Sequence, residues 1–368
     1  MPIRLCLLIT ELRLSGAERL VYELATRLDR RAFDVHVAAL RGGQVADMLA
    51  AAGVDVTVLG VQSKADVLKL PRLVRTLRGT DILHTHLFHA DLAGRLAAQP
   101  AGVAHLVHTV HVAEQRWRPW QFAFARWTDV WCDRLIAVSQ SVADHHSRRS
   151  HLPLWRYDVI PNAVDVRAFE RDEPKRVATR QAWGLAGDRL AVLFAGRLDR
   201  QKGIDTLLES IRLLGRSQVK ATFIIAGDGP LRGEVEAFAR EHRELCRYVG
   251  FVQDMQAALS GADMFVLPSR WEGFGLALGE AMAAGLPCIA TDAPGNFFRQ
   301  AMADGKAGVL VKVGQAAALV DAVAALAADA PRRDELAAGG KTFIAAHHSI
   351  QSWVAAHERL YLRLMEEE

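Results

Sequence analysis

Cysteine is scarce in this 368-residue sequence: Cys6, Cys132, Cys246 and Cys288 are scattered and form no Cys-x-x-Cys pair. A disulfide framework is therefore not expected, and incidental buried thiols in a reducing, cytoplasmic setting are. Long apolar runs are missing too. Leu5 to Ile9 is only a strand's length with no basic leader ahead of it, and no uninterrupted stretch approaches the roughly 20 residues that span a bilayer. The Ala-rich segment from Ala316 to Ala328 is interrupted by Asp321 and has the length of a packed helix. Short repeats and low-complexity tails are absent. Net charge is low as well, +3, too small to imply a nucleic-acid partner. Its distribution is uneven: residues 1–165 carry 20 Lys and Arg against 16 Asp and Glu, and ten of the fourteen histidines. The two halves are thus expected to do different jobs.

What is present is a core-forming composition, 51% hydrophobic, in a chain long enough for two ordinary domains. Apolar runs near 3–9, 34–40, 54–59, 81–85, 105–109, 134–138 and 157–160 alternate with segments of helical period. Runs near 190–195, 220–226, 247–250, 263–267, 287–291 and 308–311 repeat the pattern. This alternation predicts two α/β domains, each a doubly wound, Rossmann-like parallel sheet wrapped by helices. The polar stretch from Arg167 to Arg189, after Ile160-Pro161-Asn162-Ala163-Val164-Asp165, is the natural boundary. Such sheets bind ligands outside the carboxyl ends of their strands, so the active site is expected in the cleft across which the two domains face each other.

One segment concentrates the chemistry, PSRWEGFGLALGEAMAAGLP at 268–287. It follows a short apolar run that reads as a buried strand ending in a ligand-facing loop. A helix is expected from about Gly275, so the N–H groups of Gly275, Leu276 and Ala277 would point beyond the strand end, where they favour an anion such as a diphosphate. Glu272 falls in the loop and Glu280 on the helix. One carboxylate can then address a sugar and the other a ribose, with phosphates between them. Carboxylates at a helix start are also commonly dipole partners or solvated charges.

The Glu-x7-Glu pair within EGFG, EAM and GLP resembles the signature of the retaining glycosyltransferases of family 4, which have the GT-B fold, and the resemblance runs over essentially the whole chain. In LFAGRLDRQKGIDTLLES (193–210), Arg197 and Lys202 stand where that family places two cations on the donor diphosphate. Arginine forks two phosphate oxygens and lysine adds a compact charge, the alternative being a pair of exposed loop cations. ITELRLSGAERL (9–20) resembles the family's Gly-Gly-Ala-Glu loop, with Ser15 for the first glycine and Gly16 kept for approach to a phosphate. Ser15 and Glu18 also fit a Ser-x-x-Glu capping box. IPNAVD resembles the family's Pro-Asn-Gly-Val-Asp hinge, with Ala163 in place of glycine.

The resemblance implies an acceptor-side domain of residues 1–166, rejoined by a terminal helix in 349–368 that packs Trp353 and Tyr361 on it, and a donor domain of residues 167–348. It implies a nucleoside-diphosphate sugar as donor and co-substrate, no cofactor, and transfer with retention to a glycan or lipid-linked acceptor. Surface-polysaccharide or lipopolysaccharide assembly is the commonest setting. In that scheme Glu272 holds the sugar, Glu280 the ribose, and Gly250, Phe251 and Val252 the base. Gly196, Gly273 and Phe274 complete the donor pocket, and His111, Glu272, Arg197 and Lys202 form the catalytic set. The sequence has no Asp-x-Asp triplet, with which enzymes of the other common glycosyltransferase fold hold a divalent metal. Leaving-group charge is therefore expected to be met by Arg197, Lys202 and helix N–H groups, without a metal.

His111, in HTVHVAEQ, matches the family's histidine facing the donor sugar, the alternative being a polar strand-end residue. His86, in ILHTH, is a second candidate, for the acceptor side. A zinc reading of His84, His86, His89, His105, His108 and His111 lacks an accompanying cysteine or paired carboxylate. GDGP at 227–230 lacks the third glycine of a dinucleotide turn and reads as an ordinary tight turn. After Thr291-Asp292 the run APGNFFRQ departs from the family's Gly-Gly pair and following glutamate. Gly295 keeps the turn, while Asn296 and Phe297 are expected to reshape the pocket wall and point to an unusual donor sugar. RWRPWQFAFARWTDVW (116–131) reads either as an amphipathic helix resting on an anionic membrane surface, peripheral on the inner face of the cell membrane, or as core aromatics with solvated arginines. Two other functions fit the same features: a nucleotide-sugar epimerase of this fold, and a catalytically silent nucleotide-binding partner subunit.

Overall fold

The computed structural model describes residues 1–62, 69–185, 187 and 189–367, which form two units, Met1–Asn162 with Gln351–Glu368 and Ala163–Ile350. The first unit's strands are β1 (Ile3–Glu11), β2 (Phe33–Arg41), β3 (Asp55–Val58), β4 (Ile82–His86), β5 (His105–Val110), β6 (Arg134–Ala137) and β7 (Tyr157–Val159). Its helices are α1 (Gly16–Arg27), α2 (Gln44–Ala51), α3 (Leu70–Leu77), α4 (Phe88–Ala101), α5 (Pro119–Trp127) and α6 (Gln140–Ser150). The second unit adds α7 (Glu173–Ala182), β8 (Leu190–Ala195), α8 (Ile204–Leu214), β9 (Ala221–Ala226), α9 (Arg232–Glu241), β10 (Cys246–Gly250), α10 (Met255–Gly261) and β11 (Met264–Leu267). It continues through α11 (Leu276–Ala283), β12 (Cys288–Thr291), α12 (Arg299–Ala303), β13 (Val309–Val311), α13 (Ala316–Ala328) and α14 (Ala330–His347), before α15 (Ile350–Glu366).

Every expected strand run forms a strand, because runs of Val, Ile, Leu and Ala such as Leu190–Ala195 can be buried on both faces only in a parallel sheet between helices. The strand orders are β3-β2-β1-β4-β5-β6-β7 and β10-β9-β8-β11-β12-β13. Each sheet is wound outward in both directions from its first strand, so the order reverses between β1 and β4 and again between β8 and β11. In an open parallel sheet that reversal opens a crevice at the carboxyl ends of the two strands.

The chain leaves the first unit at Asn162–Ala163, since Val164 N–H already donates to His348 O at 3.0 Å inside the second. It returns along α15. There Tyr361 hydroxyl and His84 Nδ1 hydrogen-bond at 2.6 Å, Phe33 meets the Tyr361 ring edge-on at 5.8 Å, and Trp353 lies against His357.

The capping box expected at α1 does not form. Ser15 is the N-cap but makes no side-chain bond to the helix backbone; its hydroxyl bonds the Glu18 carboxylate instead. Glu18 is buried, which pushes its carboxyl pKa up, and the Ser15 hydroxyl and the residue's own backbone N–H partly offset that burial. The 116–131 segment divides between its two readings: Phe122 and Ala125 are core, whereas Trp120, Trp127 and Trp131 are exposed.

Candidate functional site

The second unit's crevice is built from the loops leaving β8 and β11. Asp199 Oδ1 accepts Lys202 N–H at 3.1 Å, and Gly203 follows with φ +69°. A Cβ on Gly203 would fall 1.9 Å from Pro268 O, so only glycine lets this turn lie against the exit of β11. The close approach delivers Lys202 Nζ to 2.7 Å from Glu272 Oε1, and Ser269 Oγ donates to the same oxygen at 2.6 Å. Glu272 Oε2 has no partner among the described residues. The carboxylate is buried, and its own N–H is held by Pro294 O at 2.8 Å.

Gly275 caps α11 as expected. Its carbonyl accepts from Leu278 and Gly279 at 2.9 and 3.1 Å, which places the N–H groups of Gly275, Leu276 and Ala277 ahead of the helical ladder. Glu280 is half-buried, one turn into the helix. Arg197 extends into solvent from the end of β8, its Nε 3.4 Å from Asp199 Oδ2. Gly273 and Phe274 are buried between Glu272 and the helix start.

The unusual 293–300 segment braces this loop. Asn296 is buried, donates through Nδ2 to Thr291 O at 2.9 Å and accepts Phe298 N–H at 3.1 Å, while Thr291 hydroxyl bonds Ser269 O. Phe297 stacks on Phe274 with centroids 4.9 Å apart, and His348 lies edge-on to both. The run that departs from the family pattern thus packs its aromatic rings on Phe274, two residues after Glu272.

GDGP is more than an ordinary turn. A Cβ on Gly227 would sit 1.9 Å from Gly196 O, Gly227 N–H donates to Gly250 O at 2.8 Å, and Leu198 N–H donates to Asp228 O at 2.9 Å. These contacts lock the exits of β8, β9 and β10 side by side, bringing Gly196 and Gly250 into one layer. Phe251 emerges from it half exposed, followed by the partly buried Val252. Sequence reasoning named Asn296 as a wall residue but missed Gly203, Gly227 and Ser269 as site-building residues. For Ser269 there was a signal, a hydroxyl three positions before Glu272 at a strand end; the glycine contacts join distant backbone segments and leave none.

In the first unit, His86 ends β4 and His111 follows β5. Their rings meet, His86 Nδ1 to His111 Nε2 at 3.1 Å, with the His84 ring tilted against His86, centroids 4.1 Å apart. His84 uses both nitrogens, with Tyr361 hydroxyl and with Thr109 Oγ1 at 2.7 Å. Burial first, and neighbouring imidazoles second, hold His84 and His86 well below the ordinary imidazole pKa and His111 down at about 3. With both rings neutral, the His86–His111 bond holds a single proton and the two tautomers are linked. His86 Nε2 is buried with no hydrogen-bond partner among the described residues. Gly16 is exposed at the start of α1, on the loop from β1. The remaining histidines lie elsewhere: His108 is in a buried network with Asp91, Thr85 and Arg95, His89 sits on α4, and His105 begins β5 at its opposite end.

Residues 14–168 match the family described as Glycosyltransferase Family 4, and residues 189–329 the family described as Glycosyl transferases group 1. A UDP-Gal:alpha-D-GlcNAc-diphosphoundecaprenol alpha-1,3-galactosyltransferase of Escherichia coli is 28% identical over 300 residues, which cover 77% of this chain and 78% of the relative. A D-inositol 3-phosphate glycosyltransferase of Xylanimonas cellulosilytica is 30% identical over 282 residues, 71% of this chain and 67% of the relative. The crystal structure of Anabaena HepE in complex with UDP-glucose superposes with a TM-score of 0.86 at 20% identity, over 98% of this chain and 99% of that one.

Proposed function

This chain belongs to glycosyltransferase family 4 and is a glycosyltransferase of the GT-B fold, and from that premise we propose that it moves a sugar, with retention of configuration, from a nucleoside-diphosphate sugar to a glycan or lipid-linked acceptor. The observation that carries the proposal is Glu272: a buried carboxylate pinned through Oε1 by Lys202 and Ser269, with Oε2 open to a hydroxyl donor. A sugar hydroxyl is such a donor. The diphosphate then falls to the N–H groups of Gly275, Leu276 and Ala277, with Arg197 and Lys202 as cations and Gly196 allowing close approach. As the glycosidic bond to the diphosphate breaks, these groups meet the growing negative charge on the leaving oxygen. Glu280 takes the ribose, and Gly250, Phe251 and Val252 the base.

From the first unit, His111 serves the donor sugar, Gly16 the phosphate side and His86 the acceptor side. The acceptor hydroxyl arrives on the face from which the nucleotide leaves, and no protein nucleophile is assigned. The co-substrate is the only cofactor, and no metal is required. The lipid-linked acceptor is favoured by the Escherichia coli relative, whose named substrate is a diphosphoundecaprenol-linked sugar. Assembly of a surface polysaccharide or lipopolysaccharide at the inner face of the cell membrane is the setting this implies.

The test is thermal stability with UDP, GDP and ADP, each alone and as sugar conjugates, without metal. A ligand at a hundred times its dissociation constant adds about 2.7 kcal/mol. One responding base, with the response lost in Arg197→Ala, is the expected result, and silence toward every nucleotide would overturn the donor assignment. Nucleotide release only on acceptor addition separates transfer from epimerisation, and binding without either reaction identifies a silent partner. Activity should persist in EDTA; complete loss would refute metal independence.

A further inference from the structure

Four of the eight tryptophans are exposed, Trp120 by 53%, Trp127 by 78%, Trp131 by 45% and Trp155 by 71%, and all four lie between α5 and β7. They are not a core face left open, because α5 already buries Phe122 and Ala125, with Trp117 packed against Phe88 and Phe122 behind it. Two of them, Trp131 and Trp155, stand on turns that are fastened together. Arg156 donates from Nε to Asp129 Oδ2 at 3.0 Å and from Nη1 to Asp133 O at 3.0 Å, clamping the turn Leu154–Arg156 against the turn Asp129–Trp131. The exposed Val130, Trp131, Leu154 and Trp155 therefore stand on two adjoining turns, with the exposed Trp127 two residues ahead of the clamp. Large apolar side chains gathered at a protein surface in this way mark a docking site.

Charge decides the occupant. Between Arg116 and Arg156 the chain has seven arginines and three aspartates. Arg126, beside Trp127, and Arg148 and Arg149, in the last turn of α6, are exposed and have no carboxylate partner among the described residues. Arg149 lies 4.6 Å over the Phe122 ring, which ties α6 and its arginines to α5. A second copy of the chain docking through a two-fold axis would oppose this charge to itself. An anionic bilayer offers the complement: tryptophan partitions to the headgroup level, and arginine meets lipid phosphate.

We propose that this face docks on an anionic lipid bilayer, with Trp127, Trp131 and Trp155 entering the headgroup layer and Arg126, Arg148 and Arg149 on lipid phosphates. Its purpose, bringing the first unit to a lipid-linked acceptor, rests on the proposed function; the docking itself does not. The test is co-sedimentation of the full chain with vesicles of phosphatidylcholine alone and of phosphatidylcholine with phosphatidylglycerol. Binding should require phosphatidylglycerol, weaken with salt, and fall roughly a hundredfold in R126E/R148E/R149E. It should be lost in W127S/W131S/W155S. Because all six side chains are exposed, circular dichroism melting should show both variants folded, and their thermal response to nucleotide should equal that of the parent. Unchanged binding in the arginine variant, or equal binding to neutral vesicles, would overturn the proposal. So would a dimer that the tryptophan substitutions dissolve, which would assign the face to a second copy. Lipid binding without a nucleotide response would leave the docking standing and remove the donor assignment.

Discussion

Lys202 and Glu272 are each other's counter-ion, 2.7 Å apart, with side chains 19% and 5% exposed. Removing the lysine strands a buried carboxylate, whereas neutralising the carboxylate leaves an ammonium that can still turn to water. Lys202→Met is therefore expected to cost about 1–3 kcal/mol of stability, and Glu272→Gln less. Urea unfolding of the two variants checks this, and an equal or reversed order would refute it. A donor must also share Lys202 with Glu272, so Glu272→Gln should bind the bare nucleoside diphosphate at least as well as the parent while losing the extra response to the sugar conjugate. Both residues were legible as motif positions. Their bond was not, because they are seventy positions apart and meet only through the Gly203 turn.

At the scale of elements, glycine placement tests whether loop geometry or motif identity matters more. Gly227→Ala would drive a methyl into Gly196 O at a positive φ, +141°, and should lower the melting temperature and weaken the nucleotide response together. Gly233→Ala, in α9 where a Cβ meets nothing, is the control; it should be neutral or stabilise by about 0.5–1 kcal/mol. Equal behaviour of the two would mean that the strand exits are not locked as described. The strands themselves were readable from their apolar runs. What the runs could not show was contact between exits: GDGP looks like any tight turn until β9 lies beside β8. Likewise Ser15 and Glu18 satisfy a local capping pattern, yet burial of the carboxylate redirects the hydroxyl to it.

For the whole molecule, buried histidines set the response to acid. His84, His86, His108, His146 and His357 all lie in the first unit with pKa values lowered by burial, to about 3 for His146 and about 4 for His357. The unfolded chain takes up protons on these rings near the ordinary value of about 6.5, before the folded chain does. Stability is therefore full above that value and declines as pH falls toward the folded pKa values, by up to about 1.4 kcal/mol per pH unit for each ring still neutral. Calorimetry between pH 7 and 5 should show the first unit's transition moving down in temperature; a flat profile would refute the assignment of neutral buried rings. The crowding of histidines into one half was visible in composition. Which of them are buried was not, because the cover of His108 and His146 comes from other elements of the sheet and its helices and that of His84 arrives from the far end of the sequence.

That cover has a consequence for biogenesis. The sheet of the first unit is complete by Val159, but Tyr361, which closes over His84 and Phe33, is made some two hundred residues later. At about 5–20 residues per second of synthesis, the earliest-made half waits on the ribosome with an open seam while the continuous second unit emerges and can finish. The part of the enzyme that is born first is the last to be sealed, and a nascent chain stalled before α15 presents that seam to the chaperones and proteases around it.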